Sequence, residues 1–118
     1  MATLNEIKQS VKVARKNGCK QIILLKCTSA YPADLKESNL ATIPFLRKKF
    51  NCEVGFSDHT LGIGASVAAV SLGATIIERH FTLDKKMYGP DQSGSMEPSE
   101  LKEIHEFRND LMRCLKYK

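Results

Sequence analysis

Three short β-type runs, each followed by a stretch with helical apolar spacing, constrain this chain more than any other feature. An opening helix is expected where Leu4, Ile7, Val11 and Ala14 recur at helical spacing, with Asn17-Gly18 as its stop. Residues 21–27 read as a buried strand whose apolar run is Ile22, Ile23, Leu24 and Leu25. A turn through Tyr31-Pro32 leads to a second helix bearing Leu40, Ile43, Leu46 and Phe50, with Pro44 either in its first turn or distorting it. Residues 53–57 are the second strand, 64–72 the third helix closed by Gly73, and 75–81 the third strand. After a loop over 84–97, Pro98 suits the first turn of a last helix that turns Leu101, Ile104, Leu111 and Leu115 inward. The order is α, then βα three times, which predicts an α/β fold with three parallel strands and four helices. Such a small sheet leaves both edges open, so the chain either self-associates or forms part of something larger.

Bulk properties narrow the function classes. The 118 residues match one small domain, with no apolar run of membrane-spanning length and no signal peptide at the N-terminus, so a cytoplasmic protein is expected. Cys19, Cys27, Cys52 and Cys114 lack paired spacing and read as reduced and mostly packed. The net charge of +5 raises nucleic acid as a partner. However, Arg47, Lys48, Lys49, Lys85, Lys86, Lys116 and Lys118 are dispersed over helix ends and loops, so no nucleic-acid stripe is expected. The same balance helps to attract an anionic small substrate.

Two histidines carry the chemistry. His59 ends the run Gly55-Phe56-Ser57-Asp58-His59, and His80 ends Ile77-Glu78-Arg79-His80. Side chains two apart on a strand share a face, and parallel neighbours lie about 4.8 Å apart. Ser57, His59, Glu78 and His80 therefore border a common space if the two strands are adjacent. Two neutral imidazoles with a carboxylate nearby suit Mn, Fe, Zn or Co better than Ca or Mg. The spacing itself has no local metal signature, and hydrogen-bonded structural histidines remain the alternative. His105 lies in a charged helical stretch and reads as solvated surface. From the residues alone, Ser57, Tyr31 and Asp91 are also readable as turn or capping residues, and Glu78 as half of a buried ion pair.

The segments Leu24-Leu25-Lys26-Cys27-Thr28-Ser29-Ala30-Tyr31-Pro32-Ala33, Ser57-Asp58-His59-Thr60-Leu61-Gly62, Ile77-Glu78-Arg79-His80-Phe81-Thr82-Leu83-Asp84, Gly89-Pro90-Asp91 and Glu97-Pro98 together closely resemble the sialic acid synthase family. The resemblance implies an enzyme that condenses phosphoenolpyruvate with a 2-acetamido sugar, an N-acetylated hexosamine, to give a nonulosonic acid. It implies a (β/α)8 TIM barrel, of which residues 1–118 look like the C-terminal part, with the last three strands and the helix before them. The earlier strands and the family's antifreeze-like domain are expected to be absent, and the chain alone inactive. His59 and His80 match the family's divalent metal ligands, commonly for manganese. Ser57 matches a phosphoenolpyruvate contact, Asp91 a sugar-binding carboxylate, and Tyr31 a tyrosine lining the site. Glu78 matches the acidic position beside the second histidine, where it either handles a proton or supports the metal. Ser29 stands where neuraminate-forming members carry Asn. With Lys26-Cys27-Thr28 it looks like the pseudaminic acid branch, whereas Gly89-Pro90-Asp91 also resembles the neuraminate and legionaminate branches. Two non-catalytic alternatives are a metal- or sugar-binding module and an assembly piece that pairs through its strand edges, as a homo-oligomer or with the missing barrel half.

Overall fold

The computed structural model describes residues 1–115, so Lys116 and Lys118 lie outside the described residues. The elements run α1 (Leu4–Lys16), β1 (Ile23–Cys27), α2 (Thr42–Phe50), β2 (Glu53–Ser57), α3 (Gly64–Ser71), β3 (Ile77–Glu78) and α4 (Pro98–Cys114), with 3-10 turns at Leu35–Glu37 and Gln92–Gly94. The strands form one parallel sheet in the order β1-β2-β3. The α/β class, with three parallel strands and four helices, is therefore as the alternating pattern predicts, and it is compatible with the partial (β/α)8 barrel that the family resemblance implies.

Local chemistry explains the helix ends. Thr3 accepts from the Glu6 backbone N–H while the Glu6 carboxylate accepts from the Thr3 N–H, a reciprocal cap that starts α1. Gly18, at φ +85°, lets the chain turn out of that helix. Pro44 falls in the first turn of α2, where its missing N–H breaks no helical bond, so the helix runs undistorted to Phe50. Arg15 then ties α1 to the end of α2 by donating to the Phe50 and Asn51 carbonyls at 3.0 and 3.1 Å.

The core lies on one side of the sheet. Val54 and Phe56 are 0% and 1% exposed and pack with Ile43, Leu46, Phe50, Ala65 and Ala69. On the opposite face Ile23, Leu25 and Ile76 remain 45%, 40% and 41% exposed. β1 is thus not buried on both faces as its apolar run predicts, because among the described residues the helices cover only one. Gly55 sits on the bare face with no space for a side chain. A Cβ there would lie 2.6 Å from the Ile76 carbonyl oxygen and 2.7 Å from Leu25 Cδ2.

Three further expectations are corrected. β3 is two residues long rather than seven, because beyond Glu78 the backbone leaves β2 and bonds to Met96 instead, from the His80 carbonyl and the Thr82 N–H. On α4, Leu101 and Leu115 are exposed and only Ile104 and Leu111 are half-buried. The helix packs against α3 but leaves beside it a groove of about 740 Å³, with the exposed His105 among its lining residues. Of the cysteines, all free, only Cys52 is buried. Cys27 is half-buried, and Cys19 and Cys114 are exposed.

Candidate active site

Register decides what meets at the sheet's C-terminal edge. Ser57 on β2 pairs with Glu78 on β3, and the Asp58 N–H donates to the Glu78 carbonyl at 2.9 Å. Two residues past this pair on each strand stand His59 and His80. Their ring centres are 5.2 Å apart, edge to face. The Tyr31 ring, from the loop after β1, lies 4.2 Å from His59 and 5.3 Å from His80, and the Tyr31–Pro32 peptide is cis. Sequence parity thus predicts the convergence, while Tyr31 arrives from a loop that periodicity does not place.

The tautomer of His59 follows from its partner. Nδ1 lies 2.8 Å from the Thr28 carbonyl oxygen, which can only accept, so Nδ1 carries the proton and Nε2 keeps its lone pair. Thr28 is in turn fixed: its hydroxyl accepts from the buried Lys26 ammonium at 3.0 Å and donates to the Glu37 carbonyl at 3.1 Å. Burial holds the Lys26 ammonium below its ordinary pKa, with Cys27 acting in the opposite direction. Asp91 reaches the same cleft, its Oδ2 3.8 Å from His80 Nδ1, too long for a hydrogen bond.

Beneath the rings, Ser57 Oγ donates to Glu78 Oε1 at 2.7 Å. Glu78 is exposed and is not half of a buried ion pair. That role belongs to Asp58 and Arg79, which the sequence reading did not single out. Arg79 Nη1 lies 3.4 Å from Asp58 Oδ2, with the two side chains 7% and 0% exposed. Both residues alternate with the site residues along their strands, so the same parity argument that found the histidines also marks these two.

A model of the NeuB family matches residues 1–117. The chain belongs to the NeuB family. It is 54% identical over 104 residues to the N,N'-diacetyllegionaminic acid synthase of Campylobacter jejuni, covering 86% of this chain and 31% of that one. It is 43% identical over 102 residues to a pseudaminic acid synthase of the same species, covering 86% and 30%. Among solved structures, the N-acetylneuraminic acid synthetase of Leptospira borgpetersenii superposes with a TM-score of 0.93 at 35% identity, over 99% of this chain and 41% of that one. This NeuB chain therefore spans about a third of the length of the curated relatives it matches.

The donor set of this NeuB chain suits a divalent ion. Two imidazoles bonded to one metal at about 2.0–2.1 Å have ring centres roughly 4.5–5.5 Å apart, the range in which His59 and His80 stand. A carbonyl on Nδ1 of His59 is the usual arrangement behind a metal-binding imidazole. Among the described residues, no third His, Cys, Asp or Glu completes a three-ligand group. Ser29 is exposed, one residue beyond Thr28, and does not line the cleft. No described helix is long and apolar enough to cross a membrane.

Proposed function

We propose that residues 1–118 are the C-terminal part of the catalytic barrel of a nonulosonic acid synthase, which condenses phosphoenolpyruvate with an N-acetylated hexosamine. One observation carries this reading: two imidazoles meet edge to face at the ends of adjacent parallel strands, above a Ser57–Glu78 hydrogen bond, in a NeuB family member. Barrel enzymes keep their chemistry at that end of the sheet. A divalent ion, manganese by family likeness, bound by His59 and His80 would supply Lewis acidity for the sugar's carbonyl oxygen.

The protein groups have separable tasks. The Ser57 hydroxyl contacts phosphoenolpyruvate, and the Glu78 carboxylate, already hydrogen-bonded to it, takes or returns a proton. Asp91 binds the sugar, and Tyr31 lies tilted against the two imidazoles and walls the cleft. The higher identity to the legionaminic acid synthase supports the legionaminate side of the branch over the pseudaminate side suggested by Ser29. A phosphoenolpyruvate substrate supports a cytoplasmic location. Three strands supply only part of an eight-stranded ring, so the 118-residue polypeptide is inactive by itself.

The test is a chimera in which these residues replace the matching segment of the Campylobacter jejuni legionaminic acid synthase. With manganese it should consume phosphoenolpyruvate in the presence of that enzyme's sugar, and lose this on chelation or on His59→Ala or His80→Ala. A folded chimera that keeps its rate after either histidine is removed would overturn the metal role. Product from the 118 residues alone would overturn their dependence on the rest of the ring.

A further inference from the structure

We infer that Asp58 and Arg79 form a buried clamp that sets the spacing between His59 and His80, making them positioning residues for the metal pair. This rests on the metal reading above. Each clamp residue directly precedes one histidine in sequence, so locking the clamp locks both strand exits.

The clamp is over-determined. One Asp58 oxygen accepts from both the backbone N–H and the hydroxyl of Thr60 at 2.8 Å, and the other accepts from Ser66 of α3 at 2.5 Å and faces Arg79 at 3.4 Å. The Arg79 guanidinium also donates to the carbonyls of Thr60 and Gly62. One planar fork thus spans the loop that carries His59, from the residue just before His80. A lysine ammonium, a point charge on a flexible stem, keeps the charge but cannot bridge the same set of acceptors. Both side chains are buried and fully engaged by their partners, with Asp58 among the residues lining the cleft, so their most direct consequence is geometric. Stiff support of this kind matters because a site loosened by about 1 Å loses much of its function.

Arg79→Lys, Asp58→Asn and the milder Thr60→Val are compared with Arg15→Ala, which loosens α1 from the end of α2 far from the cleft. Two quantities are read: hydrogen exchange by residues 58–62, and manganese affinity by water-proton relaxation. The clamp variants should exchange faster at 58–62 than at α2 and bind manganese about 10- to 100-fold more weakly, while Arg15→Ala leaves manganese affinity unchanged. Thr60→Val retains the ion pair, so it reports even where the other two variants fail to fold. Affinity within about twofold of wild type in the folded clamp variants, or an equal loss in Arg15→Ala, would overturn the inference. Wild-type protein that binds no manganese would sink the metal reading instead. The clamp is then judged by exchange alone, and unchanged exchange at 58–62 refutes it.

Discussion

Ser57 and Glu78, twenty-one residues apart in sequence, share a 2.7 Å hydrogen bond across neighbouring parallel strands, directly below the two histidines. The bond makes the carboxylate's geometry separable from its charge. Glu78→Gln retains an acceptor oxygen for Ser57 but cannot take up a proton at the pH of the reaction. In the chimeric synthase it should lower kcat about 10²- to 10⁴-fold with little change in thermal stability. An unchanged kcat in steady-state assays would remove Glu78 from the proton chemistry.

Gly55 gives a stability prediction independent of function. Its missing Cβ is required by the Ile76 carbonyl and Leu25, so Gly55→Ala must push β1 or the chain before β3 aside. We expect a loss of about 1–3 kcal/mol, the usual cost of overpacking, measured by urea unfolding. A neutral result would mean that the strands separate more easily than their register implies.

The loop leading to α4 carries a pH dependence. The Lys85 ammonium, 2.6 Å away, and then the Glu97 N–H hold the Glu100 carboxyl below its ordinary value of 4.5. A depressed acid stabilises the fold fully above its unfolded pKa and loses that contribution as pH falls through the folded value. Thermal melts of wild type and Glu100→Gln should therefore differ at about pH 6 and converge as the pH falls through the lowered folded value. A gap that persists at the acid end would assign the effect to packing.

Assembly follows from the bare sheet face. Ile23, Leu25 and Ile76 form an exposed apolar strip beside strand edges that no described residue pairs, a combination that soluble chains normally cover. Light scattering on the 118-residue polypeptide should give a dimer or larger. Leu25→Lys should shift it towards monomer, and a wild-type monomer would contradict the expectation.

Some of this is legible in the sequence because strand alternation and element order carry it. The bounds of β2 follow from local period-two alternation, and the meeting of His59 with His80, twenty-one residues apart, from that alternation together with the βα order. The end of β3 was not legible, since it depends on bonds to Met96, sixteen residues from His80. On α4, helical spacing identifies the apolar side but says nothing about whether a partner covers it, so it predicts burial for Leu101 and Leu115, which are exposed. Tyr31 was marked by family likeness alone. Its ring reaches the histidines through a loop that no periodicity describes.

The Met96 tie has a further consequence. Met96 accepts from the Thr82 N–H at 2.8 Å and donates to the His80 carbonyl at 2.9 Å, so residues 83–95 leave and return at one fixed point beside the imidazole. The neck of that stretch is held by backbone alone, so its closure does not depend on which side chains it carries, Asp91 included. A substitution within residues 83–95 would therefore leave the spacing of His59 and His80 to the strands beneath them.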